Sequence, residues 1–505
     1  MNGFWLFALV LIPFLGALCI LWVPSRYRAY VPAIGFVVGM LNVLVVAWCW
    51  SQFDATSPVD QFQLKLRWLP ILHVSFRLAL DGINILFVLL VSLLVPFTSL
   101  LCISMDDERL KSRTIALLMV QVGAYGFFLS RDLFLLFVSW ELMTFSTLFL
   151  NGSWGRQSFE SNRRFAISSA VGSVFLGMCV FYMGFRHETF HISELVGSFS
   201  VFEQKLCFVL MVFAFVRKAG LFPFHAWFPH IVPHAPVSGA VLIMGILIPS
   251  GVYAVLRVML PLAPAAFAEW GHILMFFVAF GGVYASLLSL VQIHISRRLS
   301  YIYMSYMSFS MLGALSLRVE AVQGALVFVL FQCIAASGLL FLFAILRKHF
   351  ATSRLAELGG VAKRVPSLTT YFVLFVLSLI CLPGLAGFSG EFLLLLGLLS
   401  YHPVFAIAFG LSSIFGVLSL WELVRQVFFG AAQGKQTEEI QDISRVQSGW
   451  LVVFLCLLLW GGWSPHSFTH RTSVSVSALV IKLQQAVKAH RVMRTRQRVE
   501  QNERR

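Results

Sequence analysis

Apolar runs of about 20 residues, the length a helix needs to cross a bilayer, recur along this chain from Phe4 to the neighbourhood of residue 466. No single soluble core can bury so many of them. The side-chain balance agrees: 59% of the 505 residues are hydrophobic and 12% are charged, against roughly 25% charged in a soluble domain. In lipid every backbone N–H and C=O must be satisfied internally, which makes runs of this length helices. The expected fold is an all-α polytopic membrane protein with about 14 transmembrane helices.

The runs lie near 4–23, 30–50, 84–104, 113–130, 132–151, 165–185, 205–221, 236–260, 268–291, 299–317, 321–346, 370–398, 404–429 and 448–466. Loops after odd-numbered runs carry Arg26, Arg28, Arg156, Arg163, Arg164, Arg297, Arg298, Arg347, Lys348, Arg354, Lys363 and Arg364, whereas those after even-numbered runs are poorer in cations. Excess Lys and Arg mark cytoplasmic loops, so both termini are expected outside. Much of the net charge of +15 lies in residues 482–505, and this basic tail then falls on the disfavoured side. A miscounted span, or a partner that fixes the tail, would account for it. No folded basic domain exists, so nucleic acid is not an expected partner; the tail suits acidic headgroups of the lipid bilayer or a partner subunit. The first run lacks a preceding basic region and reads as a retained span.

Two runs are broken. One reads Val216-Arg217-Lys218-Ala219-Gly220-Leu221-Phe222-Pro223-Phe224-His225, the other Cys381-Leu382-Pro383-Gly384-Leu385-Ala386-Gly387-Phe388-Ser389-Gly390-Glu391. Proline and glycine free backbone groups that lipid cannot satisfy, and in repeat-built transporters such breaks mark the ion site. From 113 to 429 the chain divides into two sets of five runs with the breaks at matching places. Five is odd, so a second copy must enter the membrane upside down, as an inverted repeat, each with a broken helix. The expected division is 1–110 for the first three helices, 111–262 and 263–430 for the two five-helix units, 431–470 for the last helix and 471–505 for the basic tail.

Ionisable groups inside apolar runs are costly and mark functional positions. Glu141 lies deep in run five; a protonatable site in a path and a structural contact between helices are the two readings. Lys218 sits beside Arg217 in run seven. Lysine changes its proton affinity readily on burial and arginine does not, so Lys218 is the group able to load and release a proton. Pairing with Glu141 would alter both proton affinities. Glu391 follows the second break, as a relay or as a helix-start carboxylate favoured by the dipole. His225, His230 and His234 surround the first break without the helical spacing of a metal site; a shuttle at the mouth of a path is open to His225. Tyr301, Tyr303, Ser305, Tyr306 and Ser308 give run ten a polar stripe, and Gln332 with Cys333 do the same in run eleven. Helix–helix hydrogen bonding and a wetted path both fit. Asp81 reads as a cap, and Glu422 with Arg425 as a buried pair.

The eight cysteines are scattered through apolar runs without paired spacing, so they read as small hydrophobes. With no dinucleotide fingerprint, P-loop or cysteine cluster, no cofactor and no metal is expected in this chain.

Several segments resemble the antiporter-like proton-channel subunits of respiratory complex I, nearest to their M-type members, and their relatives in Mrp antiporters and membrane-bound hydrogenases. They are Leu80-Asp81-Gly82, Ser130-Arg131-Asp132-Leu133 leading to Trp140-Glu141-Leu142, Lys218-Ala219-Gly220 leading to Pro223-Phe224-His225-Ala226-Trp227-Phe228-Pro229, Ala235-Pro236-Val237-Ser238, Leu358-Gly359-Gly360, and Phe388-Ser389-Gly390-Glu391-Phe392. The resemblance implies a 14-helix core, a polar axis along the membrane, a switching pair at Glu141 and Lys218, and a path ending at Glu391. It implies H⁺, or Na⁺, as the ion, other membrane subunits of a complex I-like assembly as partners, electron transfer in those other subunits, and the bacterial inner membrane as location. Three positions depart from the family. Pro249 stands where a lysine is usual, Tyr306 where a histidine is, and Gln332-Cys333 replace Ser-His-Gly. Water held by Ser250, Tyr253, Tyr303, Tyr306 and Gln332 would have to bridge the middle. A non-conducting scaffold paralogue, or a subunit of a cation antiporter, membrane hydrogenase or inorganic-carbon uptake system, is the alternative.

Overall fold

A computed structural model describes residues 3–103, 109–152, 156–350, 352–431 and 442–503. The helices of 14 or more residues are α1 (Phe4–Trp22), α2 (Val31–Gln52), α3 (Ile85–Ile103), α4 (Leu110–Leu129), α5 (Leu133–Asn151), α6 (Arg156–Arg186), α7 (Val201–Lys218), α8 (Val237–Leu262), α9 (Pro264–Leu290), α10 (Ile295–Leu315), α11 (Val319–Phe350), α12 (Pro366–Leu379), α13 (Ala386–Tyr401), α14 (Pro403–Phe429), α15 (Arg445–Trp463) and α16 (His466–Glu503). The domain boundary expected at 430/431 borders residues 432–441, which lie outside the described residues, as do 504–505 at the end of the tail.

Ten of these helices are long and apolar enough to cross a membrane, eleven if the bent pair α15–α16 is one span. The chain is thus a helical, multi-pass membrane protein, but helix length and apolarity alone do not give 14 spans. The shortfall has a chemical origin. Helix α7 carries Glu203, Lys205, Arg217 and Lys218, α10 carries the Ser and Tyr stripe, and run twelve is split into the short helices α12 and α13. Helices α8 and α11 form the centre: the most apolar stretch of each is wholly buried, whereas only a third of that in α14 is.

The two breaks share one hydrogen-bonding pattern. After α7, Ala219 N–H donates to Phe215 O, Gly220 N–H to Arg217 O and Leu221 N–H to Val216 O. After α12, Ile380 N–H donates to Val376 O, Cys381 N–H to Ser378 O and Leu382 N–H to Leu377 O. Each is a Schellman cap, which needs a left-handed residue at its turn. Gly220 supplies it at φ +63° and Cys381 at φ +57°. For a side-chain-bearing residue that conformation costs roughly 1–2 kcal/mol, and such strain collects at functional sites.

Three features depart from the sequence reading. Residues 61–69 and 74–80 form an antiparallel β-hairpin, β1 (Gln61–Leu69) and β2 (Val74–Leu80). Asp81 does cap α3, accepting from the N–H groups of Ile83 and Asn84, but it also holds a buried ion cluster. Its Oδ2 lies 2.7 Å from Arg257 and 3.3 Å from Arg131, and Asp60 binds Arg131 from the other side at 2.6 Å. Glu422 and Arg425 pair on α14 with the arginine side chain 63% exposed, so this is a surface pair and not a buried one.

The basic tail is corrected as well. Residues 466–503 are one helix, bent 66° from α15 and about 57 Å long at 1.5 Å per residue. It crosses the ends of several other helices: Ser475 Oγ accepts from Gly82 N–H, Gln323 of α11 donates to Thr469 O, and Gln484 donates to Leu317 O after α10. At its far end Glu269 of α9 gathers Lys205 (2.9 Å), His490 (3.2 Å) and Arg494 (3.6 Å). These contacts belong to loops after even-numbered runs. The tail is therefore held on that face by contacts within the chain.

Candidate functional site

Helix α7 ends against α8 at the closest approach Gly251 permits. A Cβ there would stand 2.7 Å from Ala219 N and Phe215 O. This fixes Lys218, 6% exposed, in the interior. Its Nζ donates to Thr144 Oγ1 on α5 and lies 4.2 Å from the centre of the Trp140 ring. Thr144 donates in turn to Trp140 O at 2.8 Å. Trp140 is wedged between Phe127 and Phe215, each 5.7 Å away. Glu141 lies close enough for its charge to act on Lys218, yet its Oε1 is buried without a partner and no ion pair within 4.0 Å joins the two among the described residues. Both members of the expected pair are thus brought together, in an arrangement where the lysine rests on a hydroxyl and a ring.

At the second break, Gly390 lets α13 touch α11 so closely that a Cβ would meet Phe328 N at 2.6 Å. Glu391 follows it, half-buried, and accepts from Ser413 of α14 at 2.6 Å. Gln332 of α11 donates to Cys381 Sγ at 3.1 Å and to Leu379 O at 3.3 Å. Cys381 donates to Leu379 O at 3.7 Å, and Cys381, Glu391 and Tyr306 lie within electrostatic reach of one another. Three of the residues singled out in the sequence, Glu391, Tyr306 and Gln332, thus form one cluster. Cys381 joins them, unsuspected because a thiol in an apolar run looks like packing.

Between the two clusters lies Pro249, in α8 between the π-helical turns Ile243–Leu247 and Val255–Met259. Proline removes a helix donor and pushes back the preceding turn, and a π-turn absorbs the misfit. Nearby carbonyls are taken up by side chains: Met244 O accepts from Tyr303 OH and Leu247 O from Ser250 Oγ. Tyr303 also meets Cys333 Sγ at 3.1 Å. A small cavity lined by Met244, Tyr303, Tyr306 and Leu379 links this middle group to the second cluster. Tyr253 is turned away, donating to Phe128 O, the carbonyl that Asn84 beside Asp81 also uses.

His225 is not brought to Lys218. It stacks on Phe222 and meets Tyr284 of α9, its Nδ1 unpartnered. His230 turns to Arg164 and His234 to Ser161. Among the described residues no group of His, Cys, Asp and Glu could hold a metal ion.

Fold and site together define a multi-pass membrane protein that keeps ionisable side chains in its interior, at paired helix breaks. A family model described as NADH:quinone oxidoreductase/Mrp antiporter, TM, matches residues 130–416, more than half of the chain, and the chain belongs to that family. NADH-quinone oxidoreductase subunit M of Rickettsia conorii is 28% identical over 464 residues, covering 90% of this chain and 93% of that protein. NADH-ubiquinone oxidoreductase chain 4 of Arabidopsis thaliana is 28% identical over 476 residues, covering 94% and 96%. Among solved structures, a chain of respiratory complex I from Thermus thermophilus with bound NADH superposes with a TM-score of 0.83 at 24% identity, over 95% of this chain and all of that one. A chain of the Mrp complex from Dietzia gives 0.85 at 17% identity, over 96% and 99%. At these identities the superpositions show a shared fold.

Proposed function

We propose that this chain is the proton-translocating membrane subunit of a complex I-like NADH–quinone oxidoreductase in the bacterial inner membrane. The other membrane subunits are its partners, and H⁺ is the ion carried, with Na⁺ as the alternative. It belongs to a translocase but performs no redox step and holds no cofactor; quinone reduction in neighbouring subunits drives it. The observation that carries the reading is Lys218, an amine buried at a helix break beside Glu141, matched by Glu391 beside the equivalent break. The shared hydrogen-bond pattern of the two breaks supports two inverted five-helix units within a 14-helix core.

In this reading Lys218 takes a proton while its charge is balanced by Glu141 and releases it when that balance is withdrawn. Hydroxyl and thiol groups at Tyr303, Cys333, Tyr306 and Cys381 carry it onward with intervening water, and Gln332 orients Cys381 without itself titrating. Glu391, held by Ser413, is the terminal acceptor. His225 serves the mouth of the path on the α9 side.

Replacing Glu141 with Gln keeps the shape and removes the balancing charge. NADH-driven acidification of vesicles containing the assembled complex should fall by roughly 100-fold, the scale of a lost acid–base group. Pro249 favours a second reading, a scaffold that does not conduct. Acidification unchanged by Glu141→Gln would establish the scaffold in place of the pump.

A further inference from the structure

We propose that Thr144 and the face of Trp140 form a second station for the Lys218 ammonium, so that the lysine alternates between a neutral site and the Glu141 carboxylate on one turn of α5. The inference rests on the proposed proton transport and deepens it.

The geometry that carries it begins with helix spacing. Trp140 and Thr144 are four residues apart and Glu141 lies between them in sequence, three before Thr144, so all three border the same stretch of α5. Lys218 Nζ donates to Thr144 Oγ1 and sits 4.2 Å above the Trp140 ring. The threonine hydroxyl proton is already committed to Trp140 O at 2.8 Å. Its oxygen is left to accept, which suits an ammonium. The ring offers its negative face to the same charge, and Phe127 and Phe215 hold it there. Trp227 Nε1 donates to Arg217 O at 3.0 Å and so anchors the backbone from which the lysine swings. The carboxylate oxygen left unpartnered at Glu141 is the vacated alternative.

The two stations differ in what they ask of the proton. A carboxylate neighbour favours keeping it; a neutral hydroxyl and ring favour giving it up. The charged groups facing the ammonium are Glu141 on α5 and Arg217 on α7, while α6 contributes Ser168 and Ser169 and the short helix after α7 contributes Trp227, all neutral. Small changes in the local field can then move the lysine between stations. Thr144 is on this account a positioning residue.

The test compares Thr144→Val and Thr144→Ser in the assembled complex, in vesicles, with Glu141→Gln run alongside. Valine keeps the shape and deletes the acceptor. Proton transport should slow roughly tenfold, the scale of one hydrogen bond to a charged group. Its pH profile should move to the acid side by about one unit, the equivalent of that factor, because the charged ammonium loses an acceptor. Serine should restore both. If Glu141→Gln abolishes transport while Thr144→Val matches the wild type in rate and pH profile, the second station is overturned. It is equally overturned if serine is as impaired as valine in a fully assembled complex, since the hydroxyl then contributes nothing. If Glu141→Gln itself transports normally, the failure belongs to the proposed function.

Discussion

Lys218→Ala is expected to abolish NADH-driven proton transport through this chain, a loss of roughly 100-fold or more, while the complex still assembles. Alanine removes the one amine in the interior cluster, the cation on which the Glu141 charge acts. The fold has reason to survive, because the Schellman cap of α7 is made by the backbone of Ala219, Gly220 and Leu221, and the Trp140 ring stays packed against Phe127 and Phe215. Lys218→Arg separates charge from chemistry. Arginine keeps the positive charge but does not release its proton at any working pH. It should fail as alanine does, although the electrostatics of the cluster are preserved. Recovery of transport with arginine would mean that a fixed charge suffices and that no proton visits this position. The measurement is acidification of vesicles against NADH consumed, with complex content checked on the same preparation.

The second large effect concerns stability. Asp81 is 4% exposed and Arg131 is 6% exposed. Deleting one partner of a buried ion pair leaves an uncompensated charge and costs roughly 3–5 kcal/mol. Asp81→Ala removes the 2.7 Å partner of Arg257 and the cap of α3 together. Asp81→Asn retains an oxygen for the cap and loses only the charge. Chemical denaturation of the purified chain in detergent should show both variants destabilised, alanine the more. Equal stability of Asp81→Asn and the wild type would show that the cluster contributes capping alone. The pH dependence has a definite sign. Burial alone would raise the Asp81 carboxyl, but Arg257, Arg131 and the N–H groups of Asn84 and Ile83 outweigh it and hold it below its ordinary 3.8. Its contribution is therefore fully present above pH 3.8 and is lost as pH falls through the depressed folded value.

Much of this architecture is written in composition. The apolar run near 404–429 becomes α14, Pro403–Phe429, because a greasy stretch of 27 residues has few other options in lipid. Proline and glycine clustered within a few residues mark both breaks, since each weakens a helix and together they favour its end. Glu141, Lys218 and Glu391 stood out because charge in such runs is rare. What was missed has physical reasons as well. The hairpin shows its period of two in Phe62, Leu64 and Leu66 alternating with Gln63, Lys65 and Arg67, but it is too polar to register among membrane spans. Helix α16 hides its apolar stripe in a basic sequence, though Phe468, Thr472, Val476, Val480, Leu483 and Val487 recur at helical spacing and are all buried. The Asp60–Arg131–Asp81–Arg257 cluster joins residues up to 197 positions apart (257 − 60), and only folding brings them together. Thr144 and Cys381 gave no sequence signal, because a hydroxyl or thiol in an apolar run is ordinary packing until a charged neighbour is seen beside it.

The central claim is that one polar route, lying along the membrane, joins the Lys218 and Glu391 clusters. The ratio of protons moved to NADH oxidised, measured in vesicles for Lys218→Ala, Glu391→Gln and the double variant, tests it directly. If both residues serve one route, each single change removes the same share of the ratio and the double variant loses no more than either alone. A Glu391→Gln ratio equal to the wild type, or losses that add in the double variant, would contradict it.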